Sequence, residues 1–349
     1  MSRFGMDVVD GDGHVVERRA DLERFGFTAP ATDLIDMLLA WDRGSWGGQL
    51  KPAVDDGAFV PSARLGDMDK EGIEHSVNFP TALLGVSDFP DPAASASACR
   101  AFNDWFANTY RTCDPGRFSA VALVPLRDGE FAAAEARRAI VELGAVGVMT
   151  QPYVGDDVHL CDAQFDPLWA TLEELEKPVA IHGSRHTCPP KLTQDDFRNA
   201  ARFYAMSHPF QQQVAMADLV LGGVLERFPR LKVVFLESGI GWMPYFIDRL
   251  DEAYESVRED WIDKRWALTR EPSKYVLSGN CWFSCEPDEP YLAHNVDALG
   301  EDQVIFASDY PHFDCKYPDS ARELIEASGL RESTVKKVAG VNARALYGL

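Results

Sequence analysis

Along this chain, short runs that are apolar throughout alternate with longer stretches in which apolar residues return every three or four positions. Runs of the first kind cover 118–124, 145–150, 178–181, 231–236 and 303–308, and each reads as a buried strand, as does the more polar run 74–79 that Pro80 ends. Another, over 8–14, opens with Val8 and Val9 and continues through Asp10, Gly11, Asp12, Gly13 and His14. An eighth is expected over 275–283, less regular because Gly279 and Asn280 interrupt it. Stretches of the second kind predict helices over 64–71, 92–113, 130–143, 168–176, 209–228, 242–261, 287–299, 320–327 and 332–347. Gly72 and Gly144 mark two of their ends, Pro167 and Pro209 two of their starts.

Eight strands, each followed by a helix and apolar along their length rather than on alternate positions, imply a parallel sheet covered by helices. Closing such a sheet gives an α/β fold of the (β/α)8 or TIM barrel type, which is the expected architecture. A doubly wound open sheet is the alternative, but no Gly-x-Gly-x-x-Gly turn follows any strand. The whole of 1–349 reads as one domain, with a local insertion over about 18–63 that carries Trp41, Trp46, Gly47, Gly48 and Pro52.

Polar residues gather where the strands end: Asp12 and His14 after the first, His182 after the fifth, Glu237 after the sixth and Asp309 after the eighth. A spacing of two turns Asp10, Asp12 and His14 to one face of an extended segment, and Gly11 and Gly13 let other backbone come close. In a barrel all these ends share one rim, where active sites of the fold are built. Two imidazoles with two carboxylates suit a single divalent ion, zinc first and manganese as the alternative. Glu237 is either an acid/base group or a structural carboxylate on the amides of Gly239 and Gly241. His312 and His208 are candidate substrate contacts, although His208 could instead cap a helix opening at Pro209. Arg64 could grip a substrate carboxylate or sit in a surface ion pair. Trp242, Trp282 and Phe283 either wall a pocket for a planar substrate or belong to the core at the rim, and Cys281, Cys285 and Cys315 lack the spacing of a thiolate metal site.

Charge narrows the partners. Acidic residues outnumber basic ones, 55 to 34, for a formal net charge of −21. Such a surface repels phosphate backbones and anionic lipid, so a small-molecule substrate is expected rather than nucleic acid or membrane. No apolar run of 18 residues and no basic start with an apolar core is present, which predicts a cytoplasmic protein, and the scattered cysteines fit reduced thiols.

Four ordered motifs carry a resemblance: the Asp12/His14 pair, Ala180-Ile181-His182-Gly183, the segment from Gly222 to Lys232, and Ser308-Asp309-Tyr310-Pro311-His312. Together they resemble the amidohydrolase superfamily, in the amidohydrolase-related branch that includes aminocarboxymuconate-semialdehyde decarboxylase and γ-resorcylate decarboxylase. The resemblance implies a distorted TIM barrel of the metallo-dependent hydrolase type, holding one divalent metal, commonly in a homodimer. It assigns the metal to Asp12, His14, His182 and Asp309. Where the family usually has a strand-six His, this chain has Glu237.

Three functions follow as expectations. The leading one is a metal-dependent hydrolase in which metal-activated water attacks a small, aromatic or otherwise planar substrate, with Asp309 as base and Glu237 positioning the leaving group. The second is a non-oxidative, metal-dependent decarboxylase, in which Asp309 or Glu237 protonates carbon. The third is a barrel that binds a ligand without turnover.

Overall fold

Each apolar run forms a strand that is buried along nearly its whole length. The strands are β1 (Val9–Val15), β2 (His75–Pro80), β3 (Phe118–Leu123), β4 (Gly147–Thr150), β5 (Val179–Ile181), β6 (Val233–Phe235), β7 (Cys281–Cys285) and β8 (Val304–Phe306). In this computed structural model, which describes residues 3–28, 54, 56–89, 91–154, 158–183, 200–257 and 267–349, they pair in parallel and in chain order. Seven ladders join β1 through β8. The gap between last and first is bridged at the carboxyl rim, where Asp309 N donates to Asp12 O at 3.0 Å and His14 N to Tyr310 O at 2.6 Å. The result is the expected TIM barrel.

Helices follow the strands: α1 (Arg19–Glu23), α2 (Pro61–Glu71), α3 (Pro92–Cys113), α4 (Gly129–Val141), α5 (Asp166–Leu175), α6 (Ala200–Val220), α7 (Val224–Arg227), α8 (Met243–Ser256), α9 (Pro272–Val276), α10 (Leu292–Leu299), α11 (Ser320–Ala327), α12 (Glu332–Lys336) and α13 (Asn342–Tyr347). Their ends are written locally. Asp91 accepts from Ala93 N at 2.9 Å to open α3 ahead of Pro92, and Asp128 accepts from Glu130 N and Phe131 N at 3.0 and 3.1 Å to open α4. Gly72, at φ +79°, closes α2.

Several boundaries depart from the sequence pattern. Pro209 lies inside α6 instead of opening it. The ring forfeits the bond to the carbonyl four residues back and crowds that carbonyl, a cost that the tertiary packing of the helix outweighs. Tyr275 and Val276 end the helix α9 rather than start a strand, and β7 begins at Cys281 after Gly279 turns the chain at φ +94°. The closing helix over 332–347 is broken by a π turn at Lys337–Val341. Within the expected insertion, α1 and the start of α2 are helical; its residues 29–53 and 55, like 184–199 with Arg185 and His186, and Trp261, lie outside the described residues.

The largest correction concerns β1. Asp10 pairs with Ser76 and Gly13 with Asn78, so the first strand carries one residue more than its partner, a β-bulge. The extra residue moves Asp10 to the face of Gly13, where a Cβ would meet Asp10 Oδ2 at 2.5 Å and Arg64 Nη2 at 2.8 Å. Asp10 therefore turns away from Asp12 and His14. It accepts from Ser308 N at 2.9 Å and the Ser308 hydroxyl at 2.7 Å, fastening the barrel seam.

Candidate metal centre and its cavity

The bulge leaves Asp12 and His14 projecting together at the rim, and β5 brings His182 beside them. His14 Nδ1 donates to the Pro80 carbonyl at 2.8 Å and His182 Nδ1 to the Gly183 carbonyl at 2.7 Å. A carbonyl only accepts, so in each neutral ring Nδ1 carries the hydrogen and Nε2 presents a lone pair. The two Nε2 atoms face one another at 3.2 Å. Asp12 Oδ1 stands 3.7 Å from both, and Asp309 Oδ1 stands 3.3 Å from that of His14. Asp12 is 1% exposed, yet neither of its carboxylate oxygens has a hydrogen-bond partner. Four acceptors thus converge without a donor between them, an arrangement that a divalent cation would satisfy and that two nitrogens with two oxygens suit.

The titration of the group tells the same story. Burial lifts Asp12 well above the usual carboxylate range, and the nearby Glu237 and Asp309 carboxylates lift it further. Burial also raises Asp309, again reinforced by Glu237 and by Asp314. His14 is pushed well below its ordinary value by burial, then by the His312 and His182 rings, and burial lowers His182 too. Burial alone would raise Glu237, but the imidazoles of His182 and His208 outweigh it and hold the carboxyl below its usual range. A bound cation would relieve the raised Asp12 and Asp309 carboxyls, and the lowered His14 and His182 rings are held in the neutral form that such an ion needs.

Beyond the four convergent groups lies a second layer. Glu237 Oε2 is 3.5 Å from His182 Nδ1 and 3.1 Å from His208 Nδ1, while Oε1 is 3.7 Å from His312 Nδ1. His312 Nδ1 approaches Asp309 Oδ1 at 2.6 Å, and its Nε2 meets the Thr81 hydroxyl at 3.3 Å. Glu237 and Asp309 both adopt left-handed backbone, at φ +58° and +54°. That conformation costs a non-glycine residue roughly 1–2 kcal/mol, so the surrounding bonds hold these carboxylates in place against local preference. Of the two amides weighed for Glu237, that of Gly241 serves Glu289 instead, beside Ile240 N, which donates to Glu289 Oε2 at 2.8 Å.

A cavity of ≈ 210 Å³ opens over this layer, and His208, Glu237 and Asp309 line it. His208 reaches it from within α6, not as a helix cap. His312 sits beside it through Asp309. Three expected contacts lie elsewhere. Arg64 is buried behind the rim, its guanidinium 3.6 Å from the centre of the Tyr310 ring and 3.8 Å from Asp10 Oδ2. Phe283 is buried and stacks on Phe235, and Trp242 is pinned by its indole N–H to the Gly239 carbonyl at 3.0 Å. Neither Arg64, Phe283 nor Trp242 lines the cavity. Its aromatic wall is Tyr204, with Glu286 and Asp314 nearby, none of which the sequence reading selected. Glu286 directly follows β7, so the strand-end rule that found Glu237 would have found it. Burial lifts the thiols of Cys281, to about 12, and Cys285, and no cysteine joins the candidate metal groups among the described residues.

Comparison with known proteins places this geometry. The chain is 28% identical to γ-resorcylate decarboxylase of Polaromonas sp. over 302 residues, covering 83% of this chain and 88% of that protein. It is 25% identical over 310 residues to 2-amino-3-carboxymuconate-6-semialdehyde decarboxylase of Dictyostelium discoideum, covering 86% and 80%. Among solved structures, 5-carboxyvanillate decarboxylase of Novosphingobium aromaticivorans, with bound manganese, superposes with a TM-score of 0.79 at 21% identity, over 100% of this chain and 99% of that one. These relatives overturn the hydrolase expectation, since they are decarboxylases, the second of the three functions weighed from the sequence. The amidohydrolase family model matches residues 9–349, and the chain is an enzyme of the amidohydrolase family.

Proposed function

We propose that the chain is a metal-dependent, non-oxidative decarboxylase of a small aromatic acid. The observation that carries this reading is the convergence of the His14 and His182 Nε2 lone pairs with the unpartnered Asp12 carboxylate, next to the Asp309–His312 pair. The relatives' decarboxylase names support it. Asp12, His14, His182 and Asp309 would hold the ion, zinc or manganese; manganese bound in the carboxyvanillate decarboxylase gives it equal standing with zinc. The ion would supply a fixed positive charge that anchors the acid's carboxylate end.

The chain's own groups then manage the proton. Asp309 Oδ1, 2.6 Å from His312 Nδ1, delivers a proton to the ring carbon that bears the carboxylate, and His312 replenishes it. A C–H bond forms, the C–C bond to the carboxylate breaks, and its electron pair returns to the ring as carbon dioxide leaves. Glu237, between His182, His208 and His312, orients the imidazoles. Hydroxybenzoates incubated with metal-loaded protein in deuterated water should release carbon dioxide and acquire one deuterium on carbon. Incorporation of oxygen from labelled water into the organic product, without loss of carbon dioxide, would defeat the proposal.

A further inference from the structure

The turn that leaves β2 divides its hydrogen bonds in a particular way. Thr81 occupies the N-cap position of a 3₁₀ turn over Ala82–Asp88, where a threonine hydroxyl ordinarily accepts from an amide of the turn, but its side chain makes no capping bond. The buried carboxyl of Glu17, just past the end of β1, takes that role: Thr81 N donates to Oε2 at 3.1 Å, Leu83 N to Oε1 at 2.5 Å, and Ala82 N donates as well. With the amides served from outside, the Thr81 hydroxyl is released to meet His312 Nε2 at 3.3 Å. On the other side of that ring, Nδ1 approaches Asp309 Oδ1 at 2.6 Å. The preceding residue, Pro80, holds His14 Nδ1 through its carbonyl at 2.8 Å, and the His14 and His312 rings lie 4.2 Å apart between centres. Successive residues of one turn thus grip two neighbouring rings.

We infer that Thr81, braced by Glu17, is a positioning residue: its hydroxyl fixes the His312 ring with Nδ1 aimed at Asp309. The inference rests on the decarboxylase reading for the step that His312 serves. The torsion that turns an imidazole has broad, roughly two-fold wells, so a ring bonded at one nitrogen alone is loosely held. A hydroxyl both donates and accepts, and Thr81 therefore keeps its hold whether or not Nε2 carries hydrogen. Thr81 is buried and does not line the cavity, so removing its hydroxyl should slow the reaction and spare substrate binding.

The test compares Thr81→Val, which keeps the shape and removes the hydroxyl, with Thr81→Ser, which keeps the hydroxyl. In metal-loaded protein Thr81→Val should lower kcat for hydroxybenzoate decarboxylation about ten- to a hundredfold with KM within about threefold, and Thr81→Ser should stay within about threefold of the parent. Long-range proton–nitrogen correlation spectra of zinc-loaded protein, labelled with ¹⁵N in its histidines, read the ring itself; His312 is identified by its absence in His312→Gln. Its two nitrogens should give sharp, separate signals in the parent and in Thr81→Ser, and broadened or averaged signals in Thr81→Val. Thr81→Ala, which also lacks the hydroxyl, gives both readouts if the valine variant fails to fold. Unaltered ring signals without the hydroxyl, a loss carried by KM, or a serine variant as impaired as the valine one would overturn the inference. If the ring signals behave as expected while no hydroxybenzoate loses carbon dioxide, the placement of His312 by Thr81 stands and the decarboxylase reading falls.

Discussion

Substituting Asp12 by Asn should reverse the stability order of parent and variant, depending on whether metal is present. In metal-free protein both Asp12 oxygens are buried without a donor, and Oδ1 stands 3.7 Å from two imidazole nitrogens that offer only lone pairs. Leaving such a group unsatisfied costs about 1–3 kcal/mol, more when it is ionised. Asn is the same size, carries no charge and brings an N–H₂ that either Nε2 can accept from. The metal-free variant should therefore be more stable than the metal-free parent by about 1–3 kcal/mol. With metal at a thousandfold its dissociation constant, the parent should gain about 4 kcal/mol, and the variant, short of a charged ligand, much less. Urea unfolding followed by circular dichroism, on chelator-stripped and reconstituted samples of both proteins, measures all four states. A stripped variant less stable than the stripped parent, or equal gains on adding metal, would refute the reasoning.

Other substitutions probe the groups around this centre. His312→Gln should lower the decarboxylation rate about 10²–10³-fold while the protein keeps its metal, read by carbon dioxide release beside metal analysis; an unaltered rate would remove His312 from the proton path. Glu17 is fully buried, accepts from Thr81 N and Leu83 N at 3.1 and 2.5 Å, and is raised by burial from 4.5 to about 8. Between those values the native state keeps a proton that the unfolded chain has lost, so stability should fall as pH rises from 4.5 to 8, by up to about 5 kcal/mol. Glu17→Gln should flatten that part of the urea profile, and an unchanged slope would count against the assignment. Arg64→Lys, which loses the stack on Tyr310, should cost about 1–3 kcal/mol in unfolding with the KM unmoved; a tenfold rise in KM would restore Arg64 to the substrate.

What the sequence disclosed follows from how local each signal is. Strand runs such as 118–124 and helix ends such as Gly72 depend on neighbours in the chain, so the barrel and the rim residues Asp12, His14, His182, Glu237 and Asp309 were readable. The β1 bulge was not, because the extra residue exists only against β2, and the even spacing of Asp10, Asp12 and His14 concealed that Asp10 turns away. Pro209 misled for a similar reason: tertiary packing of α6 overrode a start signal that is sound for isolated helices. Arg64, Trp242 and Phe283 have side chains suited to a ligand, and only long-range contacts with Tyr310, Gly239 and Phe235 reveal them as framework. The hydrolase reading failed on different grounds, since the same donor set serves either reaction.

The bridging of β8 to β1 also dictates an order of events during synthesis. Asp10 is clasped by Ser308, 298 residues later, and Asp12 O is bonded by Asp309 N. At ribosomal speeds of about 5–20 residues per second, the first strand must wait roughly 15–60 s for the segment that completes its neighbourhood. Until then the edges of β1 and of the growing sheet stand open, and the donors from the two ends of the barrel cannot be brought together. Capture of an ion by the candidate residues would therefore follow closure of the sheet, and a nascent or truncated chain lacking residues 304–312 should neither retain the ion nor seal the sheet.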